Sequence, residues 1–150
     1  MTQAPAASSQ YPLIKIVGIS GSGKSTLVHG LRRAGYNARP VSQEHSGIPD
    51  LWAQFDRPHV LIYLYVDLAG QTSRRPNIGW TAQAHAEEET RLAHARQHAD
   101  LRIDTSQLTP DAVCGVALAY LRHRRVAHAP GPLPPLPRTG GWAAPHAPAL

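Results

Sequence analysis

The sequence of 150 residues contains one cysteine, no signal-peptide pattern and no apolar run of about 18 residues or more. A single cysteine excludes a disulfide framework. Cys114 lies in an apolar, helix-like stretch, which favours a small buried side chain over a nucleophile. Without a targeting or membrane-spanning segment, we expect a cytoplasmic protein that has no membrane partner.

Acidic residues are also in the minority, since the formal net charge is +5 and the pI is about 9.9. The basic residues are scattered and form no strip, so no nucleic-acid partner is expected, although the sign of the charge suits phosphate-rich ligands. His94 and His98 are four residues apart and could share one face of a helix. No carboxylate or cysteine completes a zinc-binding set with them, so a zinc site is not favoured.

One glycine-rich segment carries a specific pattern. Residues 18–26 read Gly-Ile-Ser-Gly-Ser-Gly-Lys-Ser-Thr and match G-x-x-x-x-G-K-[ST] at every fixed position, which predicts a phosphate-binding loop. We expect its glycines to adopt backbone angles that a Cβ would forbid, so that successive N–H groups converge on phosphate oxygens. Lys24 would reach the β- and γ-phosphates, and the Ser25 hydroxyl would bind Mg²⁺. The predicted nucleotide-binding residues are Gly18, Ser20, Gly21, Ser22, Gly23, Lys24, Ser25 and Thr26.

The residues on either side of the loop support this prediction. Leu13–Val17 is a short β-branched run typical of a buried parallel strand. Apolar residues at helical spacing follow the loop, and Gly35 then provides a left-handed helix end. The loop therefore opens a helix whose N-terminal N–H groups and dipole favour an anion. A glycine-rich turn that binds nothing would need neither Lys24 nor Ser25.

The rest of the sequence alternates between strand and helix patterns. Residues 37–41 form a weak edge strand that contains Pro40, and residues 42–58 read as a loop with a short helix. Residues 60–67 form the strongest strand, residues 80–99 a solvated helix with a Glu87–Arg91 pair, and residues 99–105 a last strand. Thr109 and Pro110 then start a final helix. This alternation predicts a three-layer α/β/α fold with a small, mainly parallel sheet, and a site at the carboxyl ends of its strands.

Composition divides the chain into three parts. Residues 1–11 are small and polar and predict a disordered leader, and residues 12–127 form one domain. Residues 128–150 contain seven prolines, which predicts an extended, disordered tail without a packed core. The prolines from Pro130 to Pro137 could instead serve as a polyproline II ligand for an aromatic groove.

Residues 13–125 resemble the kinase-like branch of P-loop NTPases, such as shikimate, gluconate and adenylate kinases. The resemblance depends on the loop, on the strand that ends at Asp67 before Arg74 and Arg75, and on the closing segment from Arg91 to Val113. It implies a P-loop NTPase fold, Mg²⁺ and ATP as cofactors, and transfer of the γ-phosphate to an unidentified small molecule. In such kinases, arginines of a mobile lid gather on the transferred group. Arg74, Arg75 and Arg91 could do so, or they could lie on a solvated helix face.

The resemblance also implies a further strand, which ends in an acidic residue of the metal site known as the Walker B acid. Residues 41–60 leave hardly any room for that strand. Asp67 could supply the carboxylate, or it could be a helix cap. Glu44 could be a general base or an indirect Mg²⁺ ligand and His45 a substrate contact, or both could belong to a polar surface loop.

The candidate catalytic residues are therefore Lys24, Glu44, Asp67, Arg74 and Arg75, and the candidate metal ligands are Ser25 and Asp67. The absence of an N-K-x-D motif favours ATP over GTP. The partners expected are a nucleoside triphosphate and a small-molecule acceptor. A nucleotide-dependent switch, an accessory ATPase and a binding protein that has lost catalysis remain alternatives to a kinase. The sequence does not indicate the oligomeric state.

Overall fold

Four parallel strands and four helices alternate along the part of the chain that the computed structural model describes, residues 10–137. The strands are β1 (Leu13–Gly18), β2 (Asn37–Pro40), β3 (Val60–Tyr65) and β4 (Leu101–Asp104). The helices are α1 (Lys24–Arg33), α2 (Leu68–Arg74), α3 (Ala82–His98) and α4 (Pro110–His123). Short 3₁₀ turns lie at Gln43–His45, Leu51–Ala53 and Pro76–Ile78.

The strand order is β2-β1-β3-β4. Leu13 pairs with Asn37 on one side of β1, and Ile14 pairs with Val60 on the other side. From β1 the chain continues to β2 at one edge of the sheet, and from β3 it continues to β4 at the opposite edge. The strand order therefore reverses between β1 and β3, at their carboxyl ends. β2 is an edge strand, as Pro40 predicted, and it pairs directly with β1. In residues 10–137 no strand lies between them.

The alternation of side chains along the strands produces three layers. Ile14 and Ile16 of β1, with Ile62 and Leu64 of β3, pack against α1 and α4. Residues of the opposite parity point the other way, and they pack with Leu92 and Ala95 of α3. β3 is therefore apolar on both faces, which explains its continuous hydrophobic run. β1 has one polar exception, Lys15, whose Nζ donates to Trp52 O at 2.9 Å. The predicted α/β/α architecture is confirmed.

Local signals fix where the helices begin and end. The Thr81 and Thr109 hydroxyls cap α3 and α4 by accepting hydrogen bonds from the N–H groups of Ala84 and Ala112. Gly35 follows α1 with φ of 95°, so its predicted left-handed conformation is confirmed.

The predicted ion pair within α3 is wrong. Glu87 accepts a hydrogen bond from Gln83 instead. Arg91 reaches out of its helix and donates to the main-chain oxygen of Glu44 at 3.2 Å. A buried acceptor on another element has displaced a weak pair on an exposed helix surface.

The prediction that residues 128–150 lack packing is wrong for residues 128–137, which we call the strap. Ala129 N donates to Gly35 O at 2.9 Å and Leu133 N donates to Arg32 O at 2.8 Å. Leu133 is buried, and Leu136 packs against the core beside α1 and α4. The strap forms no helix or strand, yet its few N–H groups meet main-chain oxygens at the end of α1. The predictions for residues 1–9 and 138–150 lie outside the described residues.

Two further side-chain predictions concern Cys114 and the histidine pair. Cys114 is partly buried against the core, and burial raises the pKa of its thiol, as expected for a packing residue. His94 and His98 stack with ring centroids 4.2 Å apart, and Trp52 donates to His94.

Within residues 10–137 no helix is long and apolar enough to cross a membrane.

Candidate functional site

The glycine-rich loop lies at the carboxyl end of β1, where the strand order reverses. Gly21 and Gly23 have φ of 83° and 96°, in the left-handed region that favours glycine. Gly18 has no such angle, so the prediction that all three glycines share this conformation is wrong. A Cβ on Gly18 would lie 2.6 Å from both Leu64 O and Ser22 Oγ. Gly18 therefore allows a close approach between β1, β3 and the loop.

The main chain of the loop presents a set of open hydrogen-bond donors. Ile19 N and Ser22 N donate to main-chain oxygens, and Ser20 N donates to a side chain. Within the described residues, five N–H groups have no acceptor, and no side chain caps α1. They belong to Gly21, Gly23, Lys24, Ser25 and Thr26. Such a row of N–H groups at the start of a helix binds phosphate.

Lys24 is held by Glu44. Its Nζ lies 2.6 Å from Glu44 Oε2 and 3.1 Å from Gly18 O. Glu44 sits in the first 3₁₀ turn and is only 4% exposed, so the alternative of a polar surface loop is wrong for this residue. His45 Nε2 lies 3.6 Å from the same carboxylate oxygen. Arg91 also donates to the main-chain oxygen of Glu44, so Lys24 and Arg91 both contact this buried acid.

Residues far along the chain form hydrogen bonds with all three polar atoms of Ser20, namely N, Oγ and O. Glu88 Oε1 accepts from Ser20 N at 2.9 Å, and Glu88 Oε2 accepts from Ser20 Oγ at 2.7 Å. Gln71 Nε2 donates to Ser20 O at 2.9 Å. Glu88 and Gln71 are both buried. Ser20 N is therefore occupied by Glu88, although Ser20 was predicted to bind phosphate.

Sequence reasoning missed Glu88 and Gln71. A signal for Glu88 existed, because it shares the buried face of α3 with His85, Leu92 and Ala95. A carboxylate on a core-facing stripe requires a donor. The alanine-rich composition of this helix hid the stripe. Gln71 lies in a stretch of mixed polarity and gave no such signal.

The two arginines at the end of α2 differ in their surroundings. Arg74 donates to Gly21 O at 2.9 Å and to Thr105 Oγ1 and O at 3.0 Å and 2.6 Å. It therefore joins the loop to the end of β4. Arg75 is exposed, and its side chain makes no hydrogen bond within residues 10–137. Arg74 and Arg75 are thus both exposed, and of the two only Arg74 contacts the loop, whereas Arg91 is half-buried.

Asp67 caps α2. Its Oδ1 accepts from Gly70 N at 2.7 Å, and its own N–H donates to Ser106 Oγ at 3.0 Å. No hydrogen bond or ion pair joins its carboxylate to the loop within the described residues. Asp67 is thus a helix cap, which is one of the two roles that the sequence allowed. A metal role for Asp67 stays a prediction.

A cavity of about 200 Å³ opens beside the loop. Its polar wall is the loop and Arg74, and its apolar wall comes from the segment after β4 and from α4. The cavity is lined by Gly21, Ser22, Gly23, Thr26, Leu27, Arg74, Thr105, Leu108, Pro110 and Val113.

Ser106 follows β4 and links two carboxylate residues. Its hydroxyl and N–H donate hydrogen bonds to Asp104, which lower the pKa of that carboxyl. The Ser106 hydroxyl oxygen also accepts from Asp67 N.

Three buried side-chain atoms around the loop have no hydrogen-bond partner within residues 10–137. They are Ser22 Oγ, Glu44 Oε1 and Gln71 Oε1. Buried polar atoms are usually paired, so unpaired atoms at one place indicate a site for polar groups. The Ser25 and Thr26 hydroxyls are exposed at the start of α1.

The parallel sheet, the loop after its first strand and the helix that begins at Lys24 define the kinase-like P-loop NTPase fold. Among solved structures, the chain is similar to shikimate kinase from Acinetobacter baumannii, determined in complex with shikimate. The TM-score is 0.53 at 15% sequence identity, and the match covers 81% of this chain and 99% of the kinase. No protein-family model matches the sequence, and no curated protein has a matching sequence. The similarity confirms the predicted fold, and at this identity it shows the fold alone.

Proposed function

We propose that this protein binds Mg²⁺-ATP at the loop of residues 18–26 and transfers the γ-phosphate to a small molecule. The observation that carries the proposal is the row of five open N–H groups at the start of α1, with Lys24 among them. Five open donors within residues 21–26 and a lysine suit a chain of phosphate groups better than a single carboxylate. The nucleoside would lie in the adjoining cavity, against the apolar side chains of Leu108 and Pro110.

The residues present fit a magnesium-bound triphosphate. The Ser25 hydroxyl would bind the metal, as in other loops with this pattern. Glu44 has one buried oxygen without a partner and could accept from a metal-bound water. The metal would supply charge neutralisation on the phosphate oxygens. Asp67 caps α2 through Oδ1, so its second oxygen, Oδ2, would be the atom that faces a metal-bound water.

Glu44 is the proposed general base. Its carboxylate would take the proton of an acceptor hydroxyl while the hydroxyl oxygen bonds to the γ-phosphorus and the bond to the bridging oxygen of ADP breaks. Lys24 contacts Glu44 and Arg74 contacts the loop, so both lie where they would neutralise the charge on the transferred phosphate. Arg91, which donates to Glu44 O, would hold the base in position.

The proposal is tested with the full chain in two steps. First, a thermal-shift screen compares ATP, GTP and their non-hydrolysable analogues with Mg²⁺, and we expect ATP to raise the unfolding temperature most. Second, ADP formation and phosphate release are followed with Mg²⁺-ATP alone and with a set of small hydroxylated acceptors.

A kinase releases little phosphate until its acceptor is present, whereas a switch or accessory ATPase releases phosphate without one. Steady phosphate release that no acceptor changes would replace the kinase proposal with the ATPase alternative. No response to any nucleotide would overturn nucleotide binding itself.

A further inference from the structure

We propose that Glu88 makes nucleotide binding at this loop depend on a divalent cation. Glu88 places a buried carboxylate directly against the phosphate-binding main chain. The inference rests on the proposed nucleotide site and extends it to selection between metal-bound and metal-free nucleotide.

The first observation is how Glu88 is held. Glu88 is 5% exposed, and its two oxygens accept from Ser20 N at 2.9 Å and from Ser20 Oγ at 2.7 Å. Both oxygens act as acceptors, which is the pattern of an ionised carboxylate rather than of an acid that must donate a proton. Ser20 is next in the chain to Gly21, whose N–H is the first of the open row. The charge of Glu88 thus lies beside the place where phosphate would bind.

The second observation is that no cation cancels this charge locally. Among residues 10–137, no lysine or arginine lies within the 4.0 Å ion-pair distance of the Glu88 carboxylate. Lys24 is paired with Glu44, and the guanidinium groups of Arg74 and Arg91 donate to main-chain oxygens. Glu88 therefore differs from Glu44, whose charge is balanced by Lys24.

An uncompensated buried carboxylate near a triphosphate repels it. Like charges several ångströms apart in a protein environment alter an affinity by about tenfold or more. A divalent cation on the phosphates cancels part of this repulsion. The same carboxylate should therefore penalise metal-free ATP more than Mg²⁺-ATP.

A purely structural role for Glu88 leads to a different expectation. The amide of Gln71 also holds Ser20, through Ser20 O at 2.9 Å, but it carries no charge. If Glu88 only held the loop in shape, its loss would weaken binding of both nucleotide forms alike. The ratio of the two affinities separates the two roles.

The experiment measures the dissociation constant of a non-hydrolysable ATP analogue by calorimetry, with Mg²⁺ and with EDTA, for the parent and for Glu88→Gln. Glutamine keeps the length of the side chain, and its oxygen can still accept from Ser20 N. We expect the ratio of the two constants to fall about tenfold in Glu88→Gln, mainly because the metal-free form binds more tightly. Glu87→Gln is the matched control, since it removes one charge from the exposed face of the same helix, and its ratio should equal that of the parent.

Glu88→Met, which also keeps the length, serves as a second neutral variant, and the apo unfolding temperature is recorded for each protein. A ratio that stays at the parent value in a folded neutral variant, or the failure of both neutral variants to fold, would overturn the selector role. A parent chain that binds the analogue equally well with and without Mg²⁺ would also overturn it while leaving nucleotide binding intact. A parent chain that binds neither form would instead refute the proposed function.

Discussion

The two ends of α1 are finished in opposite ways. At its N-terminal end, the N–H groups of Lys24, Ser25 and Thr26 have no acceptor within the described residues. At its C-terminal end, Arg32 O and Gly35 O accept hydrogen bonds from the strap, and Leu133 is buried there. The helix is thus closed by the chain at one end and open at the other.

This difference separates binding from stability within one helix. A helix end satisfied by its own chain contributes to folding, whereas an end left open near a cavity is arranged for an anion. Changes at the strap should therefore lower stability without touching a nucleotide. Changes at the loop should affect the nucleotide and leave the apo protein folded.

The largest effect is expected at the strap. Leu133→Ala removes a buried leucine and should lower the free energy of unfolding by about 2–4 kcal/mol, measured by urea denaturation. A chain that ends at Ala127 should also unfold at a lower temperature than one that ends at Pro137, which keeps every strap contact. Equal stability of those two chains would show that the strap contributes nothing to folding.

The next effect concerns Lys24. With Mg²⁺-ATP at about 100 times its dissociation constant, the parent should gain roughly 2.7 kcal/mol of stability. Lys24→Ala should abolish most of this gain, because Lys24 would no longer neutralise the phosphates, and thermal unfolding with and without nucleotide measures it. Arg75→Ala is the control, because Arg75 is exposed and makes no side-chain hydrogen bond in the described part of the chain. A full nucleotide shift in Lys24→Ala would contradict the loop assignment.

A smaller contrast is expected between two carboxylates, Glu44 beside Lys24 and Asp67 at the cap of α2. Glu44→Gln should lower acceptor-dependent turnover by about 10²-fold or more, since it removes the proposed base. The affinity for Mg²⁺-ATP should change by only a few fold.

Asp67→Asn keeps a good helix cap, so stability and magnesium-dependent affinity should both stay near the parent values. Both variants are compared by steady-state kinetics and by calorimetry with and without Mg²⁺. A tenfold loss of magnesium-dependent affinity in Asp67→Asn would instead support the metal role that the sequence predicts for Asp67.

The smallest effect is a pH dependence at the carboxyl end of β4. Hydrogen bonds from the Ser106 hydroxyl and N–H lower the pKa of Asp104 in the folded state. The stability that these bonds contribute is therefore present above the unfolded pKa of about 4 and is lost as the pH falls through the lower folded pKa. Asp104→Asn keeps the acceptor without titrating. Between pH 5 and pH 3 the unfolding temperature of the parent should therefore fall more than that of Asp104→Asn. An equal fall in both proteins would exclude this linkage.

Much of the fold could be predicted because its signals are local. The pattern of residues 18–26 depends on chain neighbours, as do the apolar runs of β1 and β3 and the threonine caps of α3 and α4. The strap could not be predicted in this way. Its proline content argues against helix and sheet, but it says nothing about single N–H groups meeting Gly35 O and Arg32 O.

By itself, the sequence determined the phosphate-binding pattern, the alternation of strands and helices, and hence the parallel α/β/α fold with its site at the end of β1. Only the tertiary structure decided that Lys24 pairs with Glu44, that Glu88 holds Ser20, and that Arg74 rather than Arg75 reaches the loop. These partners are 20, 68 and 53 residues apart in the chain. Backbone conformation follows from near neighbours, whereas the pairing of buried charges depends on which elements the packing of the sheet and helices brings together.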